Sequence, residues 1–344
     1  AVIGASESPG KLGNQVRANL ISSGFPGQVY PINPRAEKIL GLPCFKSVLD
    51  VPGPIDCAVV IVPAKFVSGV LEESGKKGIK GAIVITAGFK EAGPEGAALE
   101  QDLLCIAEQY DMRVIGPNCL GIISMPIPMN ASFASGTPEL GTIAFTSQSG
   151  ALGAAVLDYA LAESIGFSHF MSLGNKADVD EVSLLDAWRD DDSTNVIIAY
   201  IEGLKDGAAF IEAARKTARN KPIVAVKSGR TASGSKAVSS HTGSLAGADT
   251  AYDAAFNQAG VLRADSVQEL FDWSTAFAYQ PLLQGNRIAL VTNAGGPGVM
   301  ATDALERNGL VLATLTPETE AALQGVLPAA ANIHNPVDVL GDAA

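Results

Sequence analysis

At 344 residues the chain is longer than one hydrophobic core usually supports, so two or three domains are expected. Hydrophobic residues make up 47% and charged residues 17%, a globular composition, and a net charge of −12 with no cluster of Lys and Arg argues against a nucleic-acid surface. No apolar run reaches the roughly 18 residues of a membrane span, and Cys44, Cys57, Cys105 and Cys119 show no C-x-x-C spacing, so they read as reduced thiols of a cytoplasmic protein without a structural metal.

The opening "AVIGAS" reads as a buried strand and not as a signal peptide, and without an initiator Met the chain is read as a piece of a longer polypeptide. Three times an apolar strand runs into a Gly/Ser-rich turn and then a helical pattern: "AVIGASESPGKLG", "IAFTSQSGALGAAVL" and "IALVTNAGGPGVMATDAL". Their spacing of about 145 residues is too long for a solenoid and suits successive α/β domains. Between these openings, continuously apolar segments such as "CAVVIVP", "GAIVITA", "NVIIAYIE" and "PIVAVKSG" fit strands of parallel sheets covered on both faces. Ligands of such sheets lie at the carboxyl ends of the strands, so the residues just after each strand are the candidates.

In the first turn the glycines are Gly4, Gly10 and Gly13, which is not the G-x-G-x-x-G of a dinucleotide site. A strand, a Gly-Ala-Ser turn and a helix still present N–H groups to an anion, and Lys11, Arg17 and Arg35 add positive charge; a phosphate-bearing ligand other than NAD is expected, the alternative being a merely structural turn. The proline- and small-residue-rich stretch 124–141 reads as a linker. After it, Ser147, Ser149, Gly150 and Ala151 open a helix and form a candidate phosphate seat, the alternative being a plain Ser N-cap. Because Ser149, Glu202 and His241 follow one another in the order of an α/β-hydrolase triad, an acyl hydrolase is a rival reading, weakened by the missing G-x-S-x-G elbow.

The stretch "SGRTASGSKAVSSHTGSLAG" leaves about twenty residues between a strand and the next helical pattern, a length that is usually functional in a compact domain. Its His241 has no apolar neighbours in sequence, whereas His169 and His334 read as ordinary structural histidines. A neutral imidazole is a competent nucleophile, and Glu202, directly after an apolar strand, is the candidate carboxylate to orient it.

Together "VIGAS", "VPAKF", "IGPNCLG", "TSQSGALG", "SLGNKADVD", "YIEG", the histidine loop, "TNAGGPGV" and "NPVDV" resemble the NDP-forming acyl-CoA synthetases, in particular the α subunit of ADP-forming acetyl-CoA synthetase, relatives of succinyl-CoA synthetase. The resemblance implies an α/β fold: a Rossmann-like CoA-binding domain (1–123), the linker (124–141), a flavodoxin-like doubly wound domain with a parallel sheet carrying the phosphohistidine (142–280), and the start of a third flavodoxin-like domain (287–344). It implies CoA held by Gly4, Ser6, Lys11, Asn33, Val62, Pro63 and Asn118, phosphate held at Ser147 to Ala151, and Gly174 and Asn175 lining an acyl or phosphate pocket. His241 takes the phosphoryl group and Glu202 supports it. ADP or ATP with Mg2+ belongs, by the same resemblance, to an ATP-grasp domain, supplied by a β subunit or a fused C-terminal part, and a hetero-oligomer or dimer is implied. Some protein lysine acetyltransferases carry a similar region as a CoA-binding regulatory part, which is the second alternative.

Overall fold

A computed structural model describes residues 1–231, 233–234, 249–281 and 283–341. The chain divides into two compact units, Ala1–Gln280 and Pro281–Ala344.

The first unit contains two large sheets and a separate two-stranded hairpin. The first sheet is built by β1 (Val2–Ile3), α1 (Leu12–Ser22), β2 (Pro31–Ile32), a small hairpin of β3 (Lys38–Ile39) and β4 (Leu42–Pro43), then β5 (Cys57–Val60), α2 (Val67–Lys77), β6 (Gly81–Val84), α3 (Pro94–Gln109) and β7 (Arg113–Ile115). Its five strands run parallel in the order β2-β1-β5-β6-β7. Alternation of strand and helix forces this arrangement, because parallel neighbours need a crossover connection. The apolar runs "CAVV" and "GAIV" are buried on both faces, Val60 and Val84 on one and Val59 and Ile83 on the other. Leu71 of α2 and Leu103 of α3 close one face and are fully buried with them, each contributing roughly 1.5–3 kcal/mol of hydrophobic stabilisation. Pro94 starts α3 where no donor is needed, and Gly78 ends α2 in the left-handed region at φ +87°.

The second sheet follows from β8 (Gly121–Ser124), β9 (Met129–Ser132), β10 (Leu140–Ser147), α4 (Gly150–Ala162), β11 (Phe167–Ser172), α5 (Glu181–Arg189), β12 (Val196–Ile201), α6 (Gly207–Thr217), β13 (Ile223–Lys227), α7 (Asp249–Ala259), β14 (Leu262–Ala264) and α8 (Val267–Tyr279). Its order is β14-β13-β12-β10-β11-β8-β9, parallel except for the β8–β9 edge. Phe145, Phe167 and Phe170 interlock on one face with Val156 and Leu157 of α4. On the other face Leu184, Trp188, Phe210 and Phe256 cover Ile197 and Ala199.

The expected linker needs correction. Residues 124–141 contain β9 and the start of β10, and the β8–β9 hairpin extends the second sheet antiparallel to β11. Its polar composition hides the strand because its polar groups are satisfied internally: Asn130 Nδ2 donates to the Gly136 carbonyl at 3.1 Å, and Ser132 Oγ donates to Asn130 Oδ1 at 2.6 Å. Asn19 of α1 donates to the carbonyls of Ser132 and Ala134, both at 2.9 Å. The hairpin is therefore a joint between the two sheets.

In the second unit β15 (Arg287–Ile288) pairs with β17 (Val311–Leu312), and β16 (Val291–Thr292) with β18 (Val337–Asp338), both parallel. Two helices, α9 (Gly295–Arg307) and α10 (Pro317–Val326), alternate with them. The α/β expectation holds for this unit too.

Candidate functional site

In each sheet of the first unit the strand order reverses beside the first parallel strand, between β1 and β5 in one and at β10 in the other. Crevices at the carboxyl ends of such strands are where α/β sheets bind ligands.

At the first of these lies a cleft of about 560 Å³ lined by Gly4, Asn33, Arg35, Lys46, Val62, Pro63 and Phe66, among others. Its size suits a nucleotide-sized group. Gly4 sits at φ +92°, and a Cβ there would stand 2.4 Å from the Ile61 carbonyl oxygen, so the turn closes only because no side chain intervenes. Asn33 shapes the cleft from behind: its Nδ2 donates to the Ala5 carbonyl and its Oδ1 accepts the Arg35 N–H, both at 2.9 Å. Phe66 offers an aromatic face and is 54% exposed.

Four of the seven residues expected to hold CoA line this cleft together: Gly4, Asn33, Val62 and Pro63. Ser6 and Lys11 lie on the turn that continues from Gly4 and are not among its lining residues. Asn118 lies elsewhere, its Nδ2 donating to Asn175 Oδ1 at 3.3 Å. Arg17 is not an anion ligand of this turn. It is buried under the β3–β4 hairpin, where Nη2 donates to the Leu40 carbonyl at 3.0 Å. Lys46 was missed by sequence reasoning; it arrives because Asn33 N–H bonds the Phe45 carbonyl at 2.9 Å, which folds "CFKS" beside "NPR".

The second crevice is set by register. Ser147 of β10 lies opposite Ser172 of β11 and Tyr200 of β12, and Ile201 of β12 opposite Lys227 of β13. This aligns the segments that follow each strand: Gln148–Ala151, Leu173–Lys176, Glu202–Leu204 and Ser228. Ser149 caps α4, its Oγ accepting the Leu152 N–H at 3.2 Å. Ser147 Oγ is fully buried and shapes the turn, donating to the Ser149 carbonyl at 2.8 Å and accepting the Ser149 N–H at 3.1 Å. The N–H groups of Gly150 and Ala151, in the first turn of α4, have no intrahelical acceptor and sit at the positive end of the helix dipole.

Glu202 is buried, 7% exposed. The turn that carries it is held by Gln148, whose Oε1 accepts the N–H groups of Glu202 and Gly203 at 3.0 and 3.1 Å. His241 and most of its loop lie outside the described residues. Of the other two histidines, His169 is structural, as expected, meeting Asp191 at 3.0 Å and stacking on Trp188, whereas His334 is 69% exposed and meets Glu320 at 2.8 Å on the surface.

Gly174 and Asn175 are tightly packed against neighbouring segments. Gly174, at φ +55°, brings its backbone so close to Pro117 and Asn118 that a Cβ would stand 2.3 Å from both carbonyl oxygens. Asn175 is buried, and its Nδ2 donates to Glu91 Oε2 at 2.6 Å and Glu100 Oε2 at 2.8 Å. Burial pushes the Glu91 carboxyl up, but this bond and the backbone N–H groups of Gly88 and Phe89 outweigh it and hold the pKa below the usual value. Among the described residues no group of three His, Cys, Asp or Glu is placed to share a metal ion, and no helix is long and apolar enough to cross a membrane.

Known families match the chain in three pieces: a CoA-binding domain over residues 1–125, a succinyl-CoA ligase-like flavodoxin domain over 140–277, and a ligase-CoA domain over 288–344. Acetate–CoA ligase [ADP-forming] I of Archaeoglobus fulgidus is 51% identical over the whole chain, which spans 50% of that protein's length. The α subunit of acetate–CoA ligase [ADP-forming] II of Pyrococcus furiosus is 48% identical, again over the whole chain, which covers 74% of the subunit. Among solved structures, dinucleotide-forming acetyl-coenzyme A synthetase 1 of Candidatus Korarchaeum cryptofilum, in complex with phosphate and ADP, matches with a TM-score of 0.92 at 44% identity. That match covers 99% of this chain and 74% of the other. The chain belongs to the family of ADP-forming acetate–CoA ligases, to the portion that their α subunits represent.

Proposed function

We propose that the chain is the CoA-binding and phosphohistidine-bearing part of an ADP-forming acyl-CoA synthetase. The reaction is acyl-CoA + ADP + phosphate ⇌ free acid + CoA + ATP. The observation that carries the reading is the register of β10 and β12, which sets the cap and first turn of α4 next to the turn bearing Glu202 at one crevice. A small carboxylic acid and its CoA thioester are the substrates, acetate being the family's named acid.

The cleft at Gly4 supports a seat for the nucleotide end of CoA, with Arg35 and Lys46 for its phosphates and Phe66 for its base. Ser6, Lys11 and Asn118 extend that track, Asn118 on the side facing the second sheet. Inorganic phosphate attacks the thioester carbonyl, the C–S bond breaks, and CoA leaves as the thiolate that takes up a proton. The acyl phosphate then passes its phosphoryl group to His241 and releases the carboxylate. The Gly150 and Ala151 N–H groups support the phosphoryl oxygens, with Ser149 as the cap that orients them and Ser147 as the residue that shapes the turn. Glu202 orients the imidazole and stabilises its developing charge.

Transfer from phosphohistidine to ADP, with Mg2+, belongs to an ATP-grasp part, either a β subunit or a fused segment, in a cytoplasmic hetero-oligomer or dimer. Neither alternative gains support: Ser149 serves as a helix cap, against the hydrolase, and the relatives are named as ligases, against the purely regulatory role. Incubation with acetyl-CoA and labelled phosphate is expected to place an acid-labile, base-stable phosphate on the chain. A label that persists in His241→Ala would overturn the reading.

A further inference from the structure

The turn Glu202–Leu204 is gripped from several elements at once, far more firmly than a solvated loop acid requires. Gln148 uses both ends of its amide there: Oε1 accepts from Glu202 N–H and Gly203 N–H, and Nε2 donates to the Gly203 carbonyl at 2.7 Å and to Glu181 Oε1. Lys176 Nζ also donates to the Gly203 carbonyl and pairs with both oxygens of Glu181 at 3.0 Å. From α7, the Tyr252 hydroxyl accepts the Leu204 N–H at 3.1 Å.

Lys176 is 9% and Glu181 4% exposed, and burying such a pair costs desolvation that an apolar pair of the same volume avoids. What the pair achieves is direction, because its ammonium and the amide it orients both end on the backbone of one turn. Next to Lys176 in the chain, Asn175 bonds Glu91, just before α3, and Glu100, on α3 of the CoA-binding half. One short loop therefore holds both the Glu202 turn and the first sheet.

We infer that Gln148 and Lys176 are positioning residues for Glu202, fixing its carboxylate against the CoA-binding half through the backbone of the Glu202–Gly203 turn. The inference rests on Glu202 being the phosphohistidine's carboxylate partner. Both act through the backbone of that turn and through Glu181.

The test uses the complete enzyme with its ATP-grasp part and measures the rate of phosphoenzyme formation from acetyl-CoA and phosphate by rapid quench, with CoA affinity and thermal midpoint alongside. Gln148→Met is expected to slow phosphorylation by about tenfold to a hundredfold, the effect of a small misplacement of a reacting group, with CoA affinity within about twofold of wild type, since the cleft is made by other residues. The double variant Glu202→Gln/Gln148→Met should be no slower than Glu202→Gln alone, because Gln148 acts only through Glu202. A merely structural role would instead add. Tyr252→Phe removes a single acceptor from the same turn and should show a smaller loss of the same kind, keeping the test available if Gln148→Met does not fold. Should Glu202→Gln itself leave the rate unchanged, the Glu202 reading falls and this inference with it; should Glu202→Gln be slow while Gln148→Met and Tyr252→Phe keep the wild-type rate, or add fully to it, the positioning inference alone is overturned.

Discussion

Gly4 offers a substitution whose consequences can be worked from geometry. At φ +92° an alanine is strained, which costs about 1–2 kcal/mol. The larger effect is contact. The new Cβ would stand 2.4 Å from the Ile61 carbonyl oxygen, 2.8 Å from its carbon and 3.2 Å from Val62 Cγ1. Two of these are backbone atoms at the end of β5, held by the Ile61 N–H bond to the Ile3 carbonyl at 2.8 Å. They cannot rotate away as a side chain would, so β1 and β5 must part where the cleft opens, an overpacking cost of about 1–3 kcal/mol. Gly4→Ala should therefore lose about 2–5 kcal/mol of stability. Gly10→Ala is the control: φ is +80° but nothing lies within 4 Å, so only the conformational cost of about 1 kcal/mol applies. Urea unfolding separates the two, and calorimetric titration with CoA should show a loss of about tenfold or more for Gly4→Ala only, equivalent to about 1.4 kcal/mol. Equal unfolding midpoints and equal CoA affinity for the two variants would refute the argument that the close approach of β1 and β5 builds the cleft.

Two further changes follow from partly buried carboxylates. Burial raises the Asp191 carboxyl, but the Thr194 and Ser193 hydroxyls, the Ser193 N–H and His169 outweigh it and bring the pKa down to about 2. Because the folded value lies below the unfolded one, the stabilisation is complete above about pH 4 and is lost as pH falls towards 2; Asp191→Ala should cost about 2 kcal/mol at pH 7, with the gap to wild type narrowing at pH 2.5, and a gap of unchanged size would count against it. Asn175→Leu removes a donor from Glu91 and from Glu100, so the Glu91 carboxyl, now held below its usual range, should titrate at higher pH by NMR and stability should fall by about 1–3 kcal/mol. A Glu91 titration that does not move would show that the backbone N–H groups of Gly88 and Phe89 suffice.

Periodicity made the α/β architecture legible, since runs such as "CAVV" and "VIIAYI" have one use in a chain that alternates strand and helix. The turn at Gly4 and the Ser149 cap were readable for the same reason, each sitting just after an apolar run. What was not legible depends on partners far away in sequence. Arg17 looked like a phosphate ligand because it follows the turn, yet on α1 its position faces inward and its guanidinium meets Leu40, 23 residues on. Asn175 entered only through the family resemblance, and nothing in the sequence points to its partners Glu91 and Glu100, 84 and 75 residues away. The β8–β9 hairpin was hidden by composition: Asn130 and Ser132 are buried polar residues that bond one another, and no hydrophobic alternation marks them. Gln148 carried no signal beyond standing between two serines already of interest.

On the proposed reading, a thioester held by one sheet must release its acyl group where a residue carried by the other can receive the phosphoryl group, so the two crevices have to be fixed with respect to each other. Two independent sheets joined by a flexible linker would leave that distance to chance, and an error of about 1 Å is enough to cost a hundredfold in rate. The chain instead locks the halves with short polar bridges near the strand ends. Arg113 of β7 pairs with Asp178 at 2.9 Å, while the same carboxylate accepts the Val114 N–H at 2.8 Å. Asn175 bonds Glu91 and Glu100, Lys90 donates to the Asn175 carbonyl at 2.7 Å, and Asn19 fastens α1 to the β8–β9 hairpin. Apolar packing between the halves, where Leu20 and Ile83 share a core with Ile122 and Ala131, resists separation but tolerates sliding, whereas hydrogen bonds lose most of their strength with small changes of angle and distance. Bridges of this kind specify register more than they add stability, which is why loosening Asn175 should disturb the relation of the CoA cleft to Glu202 before it unfolds either sheet.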